Sequence, residues 1–136
     1  KTALMQKLGR KQLTLYLQQP LQQLPATLAA YPLTLAKDGL ELTYTYDVQQ
    51  GERTGIATLQ MLLVNMRDGG FVSAYDFEVG LAIARVMCGG DVDAGSLVDE
   101  AWLIAIERAE FMRLLANEKT QARIAHTLTT GKPLRN

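Results

Sequence analysis

Residues 12 to 18, Gln-Leu-Thr-Leu-Tyr-Leu-Gln, alternate polar and apolar positions, so that Leu13, Leu15 and Leu17 fall on one side of a pleat and Thr14 and Tyr16 on the other. The alternation predicts a half-buried strand. Pro20, Pro25 and Pro32 punctuate the next stretch, and the segment from Ala26 to Tyr31 has room for no more than a brief helix begun by Pro25. Strand character returns at Leu33 to Ala36 and again at Leu40 to Val48, with Lys37-Asp38-Gly39 between them. Two such runs joined through Asp-Gly predict a β-hairpin.

Beyond Gly51 the hydrophobic period lengthens to that of a helix. Ile56, Leu59, Leu62, Leu63 and Met66 share one helical face, with Thr54 as N-cap and Gly69-Gly70 as the stop. Ser73, with Asp76 three residues on, makes a capping-box variant that opens a second helix. Its stripe is Phe77, Leu81, Ala84 and Met87 or Cys88, and Gly89-Gly90 closes it. Ser96 and Asp99 repeat the device for a third helix running to about Asn117. The apolar set of that helix extends from Leu97, Val98 and Trp102 through Ile104 to Phe111, Met112 and Leu115, broader than one stripe, and predicts cover on more than one side. A fourth helix, from about Lys119 to Thr130, has Ile124, Ala125 and Leu128 facing inward and ends at Gly131, with Pro133 just beyond. The expected fold is α+β: a small antiparallel sheet region of about three strands in residues 1–56, then a bundle of about four helices in residues 57–136. No flexible linker marks the switch, so the two parts are expected to pack together.

Composition narrows the function classes. Hydrophobic residues make up 48% of the 136, enough for a real core, and the 14 basic residues equal the 14 acidic ones, so no global field draws nucleic acid or an anionic membrane. Residues 1–56 carry 6 basic and 4 acidic side chains and the remainder 8 and 10, an asymmetry too small to name a partner. Cys88 is the only cysteine, which excludes an intrachain disulfide and a cysteine-based metal cage. No apolar run approaches the roughly 20 residues that span a bilayer, and the amino terminus lacks a signal-peptide layout. Membrane insertion is therefore not expected, and a reducing, cytoplasmic location is. The start at Lys1 and the ending Gly-Lys-Pro-Leu-Arg-Asn suggest a C-terminal fragment or a processed chain.

Each common catalytic device fails a specific requirement. The Gly131-Lys132 pair is followed by Pro133, where a phosphate-binding loop needs serine or threonine. Gly69-Gly70 and Gly89-Gly90 stand where helices stop, not between a strand and a helix as a dinucleotide fingerprint requires. His126, the only histidine, is read as structural, and Cys88, at a helix C-terminus that disfavours a thiolate, as a small buried hydrophobe. The acidic group Asp91, Asp93, Asp99 and Glu100 matches only part of a calcium-loop pattern; Asp91 and Asp93 are read as turn formers, and Asp99 and Glu100 as complements to a helix N-terminus. Glu107, Arg108, Glu110 and Arg113 lie on the long helix, with Glu110 and Arg113 spaced as an i,i+3 pair. Trp102 and Phe111 are read as core fillers, with self-association the expected outcome if the surface that covers them is missing. No catalytic, cofactor-binding or metal-binding residue is assigned.

Two resemblances overlay this reading. From about Gly69, the Gly-Gly turn, Asp76 opening a helix, Cys88-Gly89-Gly90-Asp91, Glu107-Arg108 with Phe111, Lys119-Thr120-Gln121 and the final Gly131-Lys132-Pro133-Leu134-Arg135-Asn136 are similar to the extreme C-terminus of multidomain 3-hydroxyacyl-CoA dehydrogenases, whose C-terminal half is crotonase-like enoyl-CoA hydratase. Residues 1–56, through KTALMQKLGRKQLTLYLQQPL, LELTYTYD and Glu52-Arg53-Thr54-Gly55-Ile56, resemble instead the C-terminal extension of multidrug-type ABC transporter ATPases. Together they imply a joined chain, a chimera or fusion whose helical part derives from a fatty-acid β-oxidation enzyme. Neither resemblance carries over a catalytic residue, because the dinucleotide-binding, crotonase and ATPase motifs of these families lie outside the matched segments. The implied role is packing and association, through self-association or a missing parent domain meeting the Trp102/Phe111 helix. The alternatives are a dehydrogenase/hydratase tail active only with its other domains, and a regulatory partner-binding domain of an ABC ATPase.

Overall fold

The computed structural model describes residues 10–47, 55–90, 92 and 97–136. Strand β1 (Arg10–Tyr16) is followed by a single 3-10 turn (Ala26–Leu28), β2 (Leu33–Leu35) and β3 (Glu41–Asp47), then α1 (Gly55–Asp68), α2 (Ala74–Met87), α3 (Glu100–Leu115) and α4 (Glu118–Thr130). The fold is α+β, a three-stranded antiparallel sheet followed by four helices. The Thr54 cap and the Ser96 helix start expected from the sequence, like Asp91 and Asp93, lie outside the described residues.

The sheet order is β1-β3-β2. The β2–β3 hairpin pairs Leu33 with Tyr44 and Leu35 with Leu42, and β1 returns on the far side of β3 with Leu13 opposite Tyr44 and Leu15 opposite Leu42. Strand alternation then works as the pattern requires: Leu13, Leu15, Leu17, Leu42 and Tyr44 are buried, while Tyr16 is half exposed. The turn depends on Gly39, whose φ is +72° and where a Cβ would strike the Leu21 carbonyl. Its own carbonyl accepts from the Leu21 amide at 2.8 Å, and the Asp38 carboxylate accepts from the Leu40 amide at 3.0 Å.

Helix α1 contributes Leu59, Leu62, Leu63 and Met66, all with no exposure, to the core that it shares with the sheet. Helix α2 adds Phe77 and Ala84, and the Leu28 side chain of the 3-10 turn completes the cluster. One core therefore runs from the sheet across α1 and α2. Burying such leucines stabilises by roughly 2 kcal/mol each before chain entropy is counted. Gly80 allows the two helices to approach closely, since a Cβ there would lie 2.8 Å from a Leu63 methyl. Arg67 stacks over the Phe77 ring at 4.5 Å and seals the outer edge of that contact.

Helix α2 opens with a full capping box. The Ser73 hydroxyl accepts from the Asp76 amide at 3.0 Å while the Asp76 carboxylate accepts from the Ser73 amide at 3.1 Å. It ends at Gly89 and Gly90, both with positive φ. The third helix starts later than the sequence pattern suggests. Asp99 is itself the N-cap, its carboxylate accepting from the Trp102 amide at 2.8 Å, so Leu97 and Val98 precede the helix and Leu97 is fully exposed.

Candidate functional site

Helices α3 and α4 form a hairpin on the outer side of α2, and neither buries a residue. This corrects the expectation that α3 is covered on more than one side and that Trp102 and Phe111 fill a core: Trp102 is 44% and Phe111 52% exposed. It also corrects α4. The hydrophobic pattern points Ile124, Ala125 and Leu128 inward, yet Leu128 is 83% exposed and Ala125 is exposed. The half-buried positions of α4 are instead Thr120, Arg123 and His126, a polar face.

The reason is a polar hub at the start of α2. The Arg123 guanidinium meets the Asp76 carboxylate at 2.9 Å, donates to the Asn136 side-chain oxygen at 2.7 Å and main-chain oxygen at 3.2 Å, and stacks over the Tyr75 ring at 4.9 Å. The Tyr75 hydroxyl bonds the Thr120 hydroxyl, and the Asn136 amide donates to the Lys119 carbonyl at 3.2 Å. Asp76 thus caps one helix and anchors another. Arg123 is not among the residues that the sequence singles out, although Lys119, Thr120 and Asn136, its neighbours in the hub, belong to the segments that carry the resemblance. Arg135, from the same segment, stacks over Tyr16 at 5.5 Å and ties residue 135 to the sheet.

Helix α3 is held to α2 by two side chains. The Trp102 indole donates to the Gly89 carbonyl at 2.9 Å, using an acceptor left over at the end of α2. Glu110 takes a two-pronged bond from Arg113 at 3.0 and 2.9 Å and is reached by Arg85 of α2 at 3.5 Å. The i,i+3 pair expected from the sequence is present and is extended across the helix contact. Between α2 and α3 lies an open cleft of about 490 Å³, floored by Val86, Met87, Leu103 and Leu114, flanked by Ile83, Ile104 and Phe111, with Glu100, Glu107 and Glu110 along its rim.

The titratable candidates stay apart. His126 is half-buried on α4, and among the described residues no hydroxyl or carboxylate bonds its ring. Cys88 packs against the core at the C-cap of α2, while Asp99 caps α3 and Glu100 lies in its first turn. Among the described residues no three His, Cys, Asp or Glu side chains converge as a metal site, and no helix is long and apolar enough to cross a membrane. Burial pushes the Tyr44 phenol above its ordinary value of 10.0, with smaller contributions from Cys88 and Tyr31. Its place in the core makes this a packing effect.

A protein from Bacillus subtilis (strain 168) described as "Probable 3-hydroxyacyl-CoA dehydrogenase" is 43% identical to this chain over 83 residues, which are 61% of the chain and 10% of that protein. The chain thus spans about a tenth of the length of that relative. A match of 83 residues is longer than residues 1–56, so it extends into the helical part. No family model matches the chain, and no solved structure matches it.

Proposed function

We propose that the helical part is a packing and association unit related to the C-terminal region of a 3-hydroxyacyl-CoA dehydrogenase, and that the chain has no complete reaction centre of its own. The observation that carries this reading is α3, a helix rich in large apolar side chains of which none is buried, set beside an apolar cleft. Helices of this composition require a covering surface. In a parent enzyme that surface is another domain or subunit; in this chain it is whatever meets Trp102, Ile104, Phe111 and Met112. The similarity to the Bacillus protein supports the parentage. A cytoplasmic setting accompanies it, since fatty-acid oxidation enzymes work on soluble thioesters.

Titration calorimetry of the chain with an acyl-CoA and with NAD is the test, together with a coupled dehydrogenase and hydratase assay. No saturable binding and no turnover are expected. Micromolar binding of either ligand sinks the reading and favours an enzyme tail that retains part of its site.

A second reading concerns the sheet. Its order leaves β1 and β2 as edge strands, the geometry that a strand-adding partner uses, and this favours a regulatory, partner-binding role for residues 1–56 as in the ABC ATPase extension they resemble. Hydrogen exchange that slows along residues 12–16 or 33–35 on addition of such an ATPase subunit supports it; unchanged exchange removes it.

A further inference from the structure

We infer that the cleft face of α2 and α3 is a two-fold interface between two copies of this chain, with α3 lying antiparallel against its symmetry mate. The inference rests on the association reading above and names its partner. Helix α3 spans residues 100 to 115, so antiparallel overlap along its whole length places residue n opposite residue 215 − n. The two-fold axis then passes between Glu107 and Arg108. Both side chains are exposed, and neither has an ion partner among the described residues of its own chain. Neighbours in sequence do not face one another on a helix, so they cannot neutralise each other. Across the axis each Glu107 meets the partner's Arg108. A parallel arrangement would instead set like charges together, which selects against it.

The apolar positions obey the same symmetry. Ile104, 54% exposed, falls opposite the partner's Phe111, itself 52% exposed, and the pair repeats on the other side of the axis. Ile104, Arg108 and Phe111 follow helical spacing, so the charged centre and its two apolar shoulders form one seam. Met112 and Ile83, 57% and 43% exposed, border it and complete a face on which a second helix can seat. That self-complementarity is what an isologous dimer requires. The face is roughly 24 Å long and about two helix widths of 10 Å across, on the order of 500 Å² in projection, against the ~800 Å² that a standard interface buries on each partner. An interface of that size falls in the class of weak, transient contacts. The carboxylates of Glu100 and Glu107 on the rim disfavour an anionic ligand such as a fatty acid in the same place.

Sedimentation velocity of the full chain from about 5 to about 200 µM tests the interface, with helix content checked by circular dichroism. A reversible monomer–dimer equilibrium is expected. Glu107→Arg alone and Arg108→Glu alone should each weaken it by at least about tenfold, and the two together should return it to within about threefold of the original. Phe111→Glu should leave a folded monomer at every concentration. A wild-type chain that stays monomeric at about 200 µM, or a dimer indifferent to all of these changes, overturns the inference. The broader association reading fails separately, by saturable acyl-CoA or NAD binding in the calorimetry, whatever mass the chain shows.

Discussion

Helix α1 holds Leu59, Leu62, Leu63 and Met66 with no exposure, whereas α3, two residues longer and as rich in large apolar side chains, buries none. The difference lies in what each meets. Helix α1 shares one core with the alternating leucines of the sheet, and α2 packs against both α1 and β1 in the same core. Helix α3 meets the outer flank of α2 through half-buried Leu103, Ile106 and Leu114, with the Trp102 indole and the Arg85–Glu110 ion pair as the polar ties between them. Helix α4 goes further and is fixed through Arg123, Tyr75 and Asn136 with no buried apolar residue at all. Burial therefore holds the first half of the molecule. Directional polar contacts hold the second, and they leave its apolar surface uncommitted.

The largest effect should come from the buried half. Leu62→Ala removes a fully buried side chain from the centre of the sheet–helix core and should cost about 3 kcal/mol, read as a fall in the urea midpoint for the whole transition. A loss below about 1 kcal/mol would mean that the core is far looser than the packing implies. Arg123→Ala should come next, and it should act locally. It leaves the Asp76 carboxylate half-buried without its guanidinium and frees Asn136, at a cost of about 2 kcal/mol to the docking of α4. Amide exchange should accelerate along α4 while the sheet and α1 stay protected. Equal acceleration everywhere would show that the two halves unfold as one and would erase the contrast.

Much of the buried half was legible because its signals are local. Leu13, Leu15 and Leu17 alternate, Asp38-Gly39 turns the chain, and the stripe of α1 repeats with helical spacing toward Gly69-Gly70. The Ser73–Asp76 box needs only four consecutive residues. The second half was legible as helices but not as faces. Periodicity locates a stripe without saying what it meets, and α4 turns its Thr120–Arg123 side inward because Tyr75 and Asp76 wait on another helix, more than forty residues earlier. The start of α3 was misjudged because Ser96 and Asp99 are both good caps, and spacing alone does not choose between them. Asp99 prevails in the structure, and Leu97 is left outside.

Trp102→Phe tests how α3 is held, and its effect should be smaller. The ring volume is largely kept while the bond from the indole to the Gly89 carbonyl is lost, for about 1 kcal/mol. The loss should show first as faster exchange at the start of α3, with the core unchanged. If Trp102→Leu and Trp102→Phe behaved alike and both cost nothing, the bond would not be what attaches α3, and the Glu110 contacts would have to carry that role.

The smallest effect sharpens the contrast from the buried side. Burial raises the pKa of the Tyr44 phenol above 10.0 in the folded chain, so the native state keeps a proton that the unfolded chain gives up. That direction fixes the sign. Stability from this group is fully present below pH 10.0 and is lost as pH climbs from there through the raised native value. Tyr44→Phe removes the titration, so the variant should lose less stability than the wild type between neutral and strongly alkaline pH, whatever packing cost it carries at neutrality. Identical slopes for Tyr44→Phe and the wild type would mean that water reaches the Tyr44 hydroxyl from the α2 side, and that the core is open where α3 leaves α2 uncovered.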